Sequence, residues 1–141
     1  MRSSERTVLL STAFATAVAV LLLAGSDLSG ANDKPTSLSE ARSAIEANLR
    51  TPEGKAYDKQ LGKEFSEKYM STTHQCKQNA GNDHESFWVL LKLDQEGAVK
   101  EVLLSPESAL GTCARKVLLR GRFSRPPRGN YWVGIYFKIT R

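Results

Sequence analysis

The chain has 141 residues, which is enough for one folded domain preceded by a leader. Its apolar content of 40% allows a modest hydrophobic core, and the lack of an internal repeat excludes a repeat architecture. The net charge of +5 is unevenly distributed: residues 32–107 carry ten basic and thirteen acidic side chains, whereas residues 108–141 carry eight basic and no acidic ones. The C-terminal end is therefore strongly basic.

The first 31 residues have the layout of a signal peptide. Arg2 and Arg6 form a short basic region, an uncharged and largely apolar run follows at residues 8–25, and a Ser-Gly-Ala cleavage sequence precedes Asn32. We therefore expect export to the periplasm. The alternative is an uncleaved inner-membrane anchor, for which an 18-residue run is at the short limit. Lipidation is not expected, because Ser26 stands where a lipoprotein has its modified cysteine.

Export bears on the two cysteines, because an exported chain with two cysteines most simply pairs them. A Cys76–Cys113 disulfide would close a loop of about 37 residues and contribute roughly 4 kcal/mol in the chain-entropy model. The alternatives are two inert thiols, or a metal site that also uses His74 and His84. The disulfide is the favoured prediction, because His74 and Cys76 lack the paired spacing that is typical of zinc sites.

Two helices are predicted at the start of the mature chain. A capping-box pattern at residues 37–40 precedes apolar residues at helical spacing, so the first helix is expected over residues 38–50. The Thr-Pro pair at residues 51–52 is a favourable start for a second helix. This helix is expected to fray near residues 71–73 and to leave Cys76 just beyond its end.

The second half of the chain predicts three strands and one helix. Apolar and polar residues alternate in strands at residues 86–94, 98–104 and 131–140. Gly97 in a tight turn joins the first two strands into a hairpin. A helix is expected to open at Ser105-Pro106-Glu107 and to end at Gly121, with Cys113 on its apolar face. This order predicts an α+β domain with a three-stranded antiparallel sheet and helices packed on one face.

Residues 76–139 resemble the TonB C-terminal-like family of bacterial envelope proteins. In that family an Asp-x-x-Gly-x-Val turn joins two strands, and a helix, an aromatic-Pro-Pro-Gly connector and a final aliphatic strand follow. The matching positions here are Asp94, Gly97, Val99, Val102, Cys113, Phe123, Pro126, Pro127, Gly129, Val133 and Phe137. With the leader at residues 1–31, the resemblance divides the chain into an N-terminal helical segment at 32–75 and a TonB C-terminal-like domain at 76–141.

Members of that family are adaptors that bind segments of outer-membrane receptors by strand addition, or contact other envelope partners. The resemblance therefore implies a non-enzymatic exported module that binds an envelope protein, with the last strand as an edge for a partner strand. It does not extend to energy transduction, because the chain lacks a long proline-rich spacer and its apolar segment lacks a polar histidine. The alternative function is a periplasmic inhibitor or immunity-type protein that blocks a partner enzyme.

The basic C-terminal end is the candidate partner-binding surface. The residues expected to contact an envelope protein or an anionic envelope surface are Arg115, Arg120, Arg122, Arg125, Arg128, Trp132 and Tyr136. A nucleic-acid groove with stacking aromatic rings is disfavoured, because the periplasm holds little nucleic acid. The alternative is a solvated helix face that keeps the domain soluble, with Lys138 protecting the edge of the last strand.

No pattern in the sequence indicates catalysis. The chain contains no GxSxG or HExxH motif. Glu64 and Glu67 lie beside lysines on a predicted helix, which is typical of solvated charge rather than of an acid–base pair. We therefore expect no enzyme activity, no catalytic residue, no cofactor and no bound metal.

Overall fold

The computed structural model describes residues 36–81 and 85–140, and these form four helices and one three-stranded sheet. The elements are α1 (Leu38–Leu49), α2 (Pro52–Lys68), α3 (Met70–Asn79), β1 (Phe87–Leu93), β2 (Val99–Ser105), α4 (Ala109–Leu118) and β3 (Tyr131–Phe137). The strand order is β2-β1-β3, and both pairings are antiparallel. The predicted α+β class and antiparallel sheet are confirmed. The predicted signal peptide and His84 lie outside the described residues.

Helices α1 and α2 begin with the predicted capping chemistry. Ser37 Oγ accepts a hydrogen bond from the Glu40 amide at 3.2 Å, and the Glu40 carboxylate accepts one from the Ser37 amide at 2.8 Å. At the next helix, Thr51 Oγ1 accepts from the Gly54 amide at 3.0 Å, and Pro52 occupies the first turn. These caps satisfy amides that have no partner within the helix, so both helices begin where the sequence predicts.

Helix α3 corrects one prediction. Residues 70–79 are helical and Cys76 lies inside that helix, so the expected fraying near residues 71–73 is wrong. Tyr69 separates α2 from α3. Thr73 Oγ1 in the first turn of α3 donates a hydrogen bond to the Tyr69 carbonyl at 3.0 Å and so links α3 to the end of α2. The predicted boundary between residues 75 and 76 falls within α3, and residues 34–141 form one compact unit.

Helix α4 begins later than predicted. It starts at Ala109 rather than at Ser105, because Ser108 is the N-cap and its Oγ accepts from the Gly111 amide at 2.9 Å. The predicted apolar face is correct, since Leu110, Ala114 and Leu118 are buried on it. Cys113 and Val117 pack partly buried beside them, so this face of α4 joins the main core as expected.

Three helices cover one side of the sheet, which we call the closed face. Helices α2, α3 and α4 pack there against alternate side chains of all three strands. The core of the closed face comprises Tyr57, Leu61, Phe65, Cys76, Phe87, Val89, Leu91, Leu93, Val102, Leu104, Leu110, Ala114, Leu118, Tyr131 and Val133. These residues are the largest buried cluster among those described, so they supply most of the hydrophobic stabilisation.

Among the four described helices, α1 is the one that lies on the opposite side of the sheet, which we call the open face. Its Ala41 packs with Leu90 of β1 and Trp132 of β3, and Ala44, Ile45 and Leu103 adjoin this smaller cluster. The prediction that helices pack on one face therefore holds for α2, α3 and α4 but not for α1. The reason is that Leu90, Leu103 and Trp132 alternate with the closed-face residues and also require cover.

Candidate partner-binding site

The predicted disulfide joins the two helices nearest to each other on the closed face. Cys76 of α3 and Cys113 of α4 are bonded, with 5.7 Å between their Cα atoms. Cys76 is only 2% exposed, so the bond lies inside the core. Both thiols are consumed by this bond and are not available to hold a metal. Within residues 36–81 and 85–140, no group of three or more potential metal ligands occurs.

Three of the predicted basic residues, Arg115, Arg122 and Arg128, each contact a residue in a different part of the fold. The Arg115 guanidinium pairs with Glu107 before α4. The Arg122 guanidinium donates to the Glu96 carbonyl in the hairpin turn at 3.2 Å. Arg128 donates to Asn48 Oδ1 at the end of α1 at 2.5 Å, and its guanidinium lies 5.6 Å from the centre of the Tyr131 ring. These three contacts do not converge on a common ligand position.

The other two candidate arginines are exposed. Arg120 follows the C-terminus of α4, and Arg125 lies in the connector before β3. Their exposure is consistent with the alternative of a solvated basic surface, since a lone exposed guanidinium remains hydrated. The basic C-terminal end is therefore divided between structural contacts and solvated charge.

The two candidate aromatic residues have different environments. Trp132 is only 5% exposed and packs under α1, so its ring is not accessible to a partner. Tyr136 is 51% exposed and its ring centre lies 5.0 Å from that of Trp88, which is 43% exposed. Trp88 and Tyr136 are register partners on the open face. Two large exposed rings side by side are unusual on a solvated surface, and aromatic rings are enriched at protein interfaces.

A cavity of about 470 Å³ adjoins this aromatic pair on the open face. Helix α1 forms one wall, and strands β1 and β3 form the floor. We call this cavity the β3 groove, and its principal lining residues are Ile45, Leu49, Asp58, Trp88, Leu90 and Gly134. The volume is within the range of ligand-binding pockets, about 300–1,000 Å³. This groove is not among the features predicted from the sequence, because its lining residues come from α1, α2, β1 and β3.

Gly134 is the residue that opens the groove. It lies in the middle of β3, between Trp132 and Tyr136 on the same face of the strand. A Cβ at this position would lie 3.4 Å from Ile45 Cδ1 and 3.5 Å from Trp88 Cζ3, which are ordinary contact distances. A longer side chain would extend into the cavity. A glycine inside an otherwise apolar strand was the one signal in the sequence that could have indicated the groove.

The corner between α1 and α2 covers the first part of the β3 edge. Asn48, at the end of α1, donates from Nδ2 to the Trp132 carbonyl at 2.9 Å and is itself buried. Gly54 makes this tight corner feasible, because a Cβ there would lie 1.9 Å from the Asn48 carbonyl oxygen. Beyond the corner, among the described strands, β3 has a neighbour on one side only, which is β1. The open part of the edge is thus residues 134–137.

The groove has an acidic end. Asp58 and Glu46 line the groove, and the described cation that lines it, Arg42, donates from its guanidinium to Ser105 Oγ at 2.8 Å. Burial raises the pKa of the Asp58 carboxyl above its usual range. Within the described residues the Asp58 carboxylate has no hydrogen bond or ion pair, so an incoming cationic group would find an unneutralised partner there.

A different acidic residue, Glu64, has a structural role. Its carboxylate accepts hydrogen bonds from the hydroxyl and from the amide of Ser124, the latter at 3.0 Å, and pairs with Lys68 at 3.2 Å. Burial alone would raise the pKa of this carboxyl, but the bonds from Ser124 and Lys68 together hold it below its usual range. Glu64 thereby ties α2 to the connector before β3 and is not part of the groove.

The fold and groove define an α+β domain with a partly open strand edge beside an apolar cavity. No family model, curated protein or solved structure matches the chain. The resemblance to the TonB C-terminal-like family therefore stays a prediction. In the part of the chain that the structure describes, no helix has the length and apolar character needed to cross a membrane.

Proposed function

We propose that this protein is a non-enzymatic, exported module of the bacterial cell envelope that binds a protein partner at β3. The observation that carries the proposal is the combination of an open strand edge at residues 134–137 with the exposed pair Trp88 and Tyr136 and the β3 groove beside it. Strand addition uses such an edge for backbone hydrogen bonds and uses adjoining pockets for alternate side chains of the partner.

The opposite edge of the sheet is less suited to strand addition. The start of β2 is already bridged by the connector, because the Val99 amide donates to the Gly121 carbonyl at 3.1 Å and the Phe123 amide donates to the Gly97 carbonyl at 2.9 Å. Gly97 has φ of +83°, and a Cβ there would lie 2.1 Å from the Phe123 carbonyl oxygen. This favours β3 as the edge that meets the partner.

The disulfide supports a periplasmic location, because structural disulfides persist in oxidising compartments. The signal-peptide pattern of residues 1–31 points to the same compartment, with an inner-membrane anchor as the alternative. The TonB C-terminal-like resemblance implies the same kind of adaptor role. A protein partner is favoured over an anionic envelope surface, because the candidate arginines either have partners within the protein or lie apart from one another.

Site-specific photo-cross-linking in living cells tests this proposal. A photoreactive amino acid replaces Tyr136 beside the groove, and in a matched control it replaces Lys116, which is exposed on α4. We expect an envelope protein to be cross-linked from position 136 and not from position 116. A synthetic peptide covering the cross-linked segment should then slow the amide exchange of residues 134–137.

Other outcomes would contradict the proposal. Cross-linking from position 116 alone would indicate that the partner binds the basic surface and not β3. Peptides that leave the amide exchange rates of residues 134–137 unchanged would exclude strand addition. If the cross-linked partner is a soluble enzyme whose activity falls on binding, the inhibitor function replaces the adaptor function.

A further inference from the structure

The β3 groove combines features that specify the sequence of a docked segment, and this inference rests on the proposed function. We infer that the groove binds an extended peptide that places a large apolar side chain over Gly134 and a Lys or Arg two positions away against Asp58. The protein would thereby select its partner by two side chains, in addition to backbone pairing with β3.

The apolar part of this recognition comes from the floor and wall of the groove. Ile45, Leu90 and the exposed ring of Trp88 surround the space above Gly134. Because Gly134 has no side chain, a partner side chain can pack against all three. Burying one large apolar side chain of a partner in this space would strengthen binding about 10- to 100-fold.

The cationic part comes from the acidic end. Asp58 lies beside Tyr131 and Trp132, at the end of β3 that the α1–α2 corner covers. Glu46 adds a second negative charge to the groove lining, whereas the guanidinium of Arg42, which also lines it, donates to Ser105. A half-buried carboxylate without a partner in the described residues is the complement of a Lys or Arg side chain.

The spacing of the two side chains follows from strand geometry. Side chains two residues apart on a strand point to the same face and lie about 7 Å from each other. Gly134 and Trp132 are two positions apart in β3, and Asp58 and Trp132 line the same small cavity. A segment paired with the open edge presents every second side chain to the groove. Its next residue on the same face, two positions from the apolar one, lies where the α1–α2 corner ends the pairing, so a long Lys or Arg side chain is required to extend from there towards Asp58.

A peptide fits the groove better than a small free ligand does. A compact ligand would fill the cavity and leave the strand edge at residues 134–137 unpaired, although this edge begins at Gly134, which lines the cavity. An extended segment occupies both the strand edge and the cavity, because its backbone pairs with the edge while its side chains enter the groove.

Selection of random dodecapeptides displayed on phage, with the full chain as bait, tests the inference. Enriched peptides are synthesised, their affinities are measured by calorimetry, and their effect on amide exchange of residues 134–137 is recorded. We expect enrichment of a large apolar residue and a Lys or Arg at a constant offset of two. Emission of Trp88 should shift on binding, and Trp88→Phe should abolish the shift because Trp132 is buried.

Two variants with matched controls separate the two contacts. Gly134→Val fills the groove and should weaken binding about 10- to 100-fold, whereas Gly134→Ala adds a Cβ at ordinary contact distance and should change it little. Asp58→Asn should weaken binding about 3- to 10-fold. That loss should vanish for a peptide in which the basic residue is replaced by Gln, which isolates the charge contact. Thermal melting of each variant verifies that it folds.

The outcomes distinguish this inference from the proposed function. Peptides that slow β3 exchange but bind Gly134→Val as tightly as the natural chain would overturn the inference and leave strand addition standing. The same holds if the enriched peptides lack the basic residue. If no peptide slows β3 exchange, the inference and the proposed function both fail. Self-association of the chain that Gly134→Val abolishes would make a second copy the occupant and would also overturn the inference.

Discussion

The two faces of the sheet are built from the same alternating strands but have opposite properties. The closed face is covered by α2, α3 and α4, its central side chains are fully buried, and a disulfide joins two of its helices. Within residues 36–81 and 85–140, α1 is the one helix on the open face, where a cavity of about 470 Å³ adjoins the exposed rings of Trp88 and Tyr136. Most of the buried core thus lies on one face, and the proposed partner-binding surface lies on the other.

The two faces differ in how their helices are attached to the rest of the fold. On the closed face, α2 is fixed to the connector by Glu64, and α3 is fixed to α4 by the disulfide. On the open face, α1 is held near its ends, with the Thr36 amide donating to Glu101 at 3.2 Å and Asn48 bonding to β3. A groove can therefore persist beside α1 without a loss of closed-face packing.

Removing the disulfide should produce the largest effect on the closed face. The double variant Cys76→Ala/Cys113→Ala should lose about 4 kcal/mol of the free energy of unfolding, because the unfolded chain is no longer constrained by the loop. Urea denaturation measures this, and treating the natural chain with reductant is the control that should reproduce it. A loss below about 1 kcal/mol would show that the closed face does not depend on its cross-link.

Neighbouring leucines of β1 allow a direct comparison of the two faces. Leu91 is fully buried on the closed face, so Leu91→Ala should cost about 3–4 kcal/mol by leaving a cavity. Leu90 borders the β3 groove, so Leu90→Ala should cost about 2 kcal/mol, because it enlarges a space that is already open to water. Equal or reversed losses in urea denaturation would contradict the division between the faces.

The Glu64 contact predicts a pH-dependent loss of stability. Glu64→Gln should lower the free energy of unfolding by about 1 kcal/mol at neutral pH. Because folding lowers the pKa of this carboxyl, its contribution is present above the usual Glu value of about 4.3 and is lost as the pH falls through the folded-state pKa. The natural chain and the variant should therefore converge in stability at acid pH.

A matched control lies on the same helix. Glu67 forms an exposed pair with Lys63 at 3.9 Å, so Glu67→Gln should change stability by only a few tenths of a kcal/mol. If Glu64→Gln and Glu67→Gln behave alike across the pH range, then Glu64 does not fix α2 to the connector.

Reversing the exposed basic charges should have the smallest effect. The double variant Arg120→Glu/Arg125→Glu should change the free energy of unfolding by less than about 0.5 kcal/mol, because both side chains are exposed. It should also leave peptide binding at the β3 groove unchanged when measured by calorimetry at physiological salt. A clear loss of peptide binding would indicate that the basic surface contacts the partner and would argue against a binding site confined to the open face.

Much of the fold could be predicted because it depends on local chemistry. The caps at Ser37 and Thr51, the hairpin turn at Gly97 and the apolar face of α4 each involve residues within a few positions of one another. The later start of α4 was missed, because Ser108 competes as an N-cap with the earlier Ser-Pro pair. The continuation of α3 through Cys76 was missed for a comparable reason, since tertiary packing and the disulfide stabilise a segment of weak helical propensity.

The candidate site was only partly predictable. Alternation along the last strand placed Trp132 and Tyr136 on one face, and the resemblance to the TonB C-terminal-like family suggested that strand as an edge. Neither could show that α1 covers Trp132 and leaves Trp88 exposed. The basic residues were selected by charge density, which does not reveal that Arg115, Arg122 and Arg128 have partners at distant positions. The role of Gly134 in opening the groove could not be predicted, because it depends on the surrounding side chains of Ile45, Trp88 and Leu90.

The sequence by itself determined the α+β class, the antiparallel hairpin and the chemistry that starts α1 and α2, and it favoured the pairing of Cys76 with Cys113. These features follow from periodicity, turn residues and cysteine count, which act over short distances or admit one simple solution. Only the tertiary structure decided which face each helix covers, where the β3 edge stays open and which acidic residue lies beside the groove. Those features depend on packing between elements that are distant in the chain, and no local pattern specifies it.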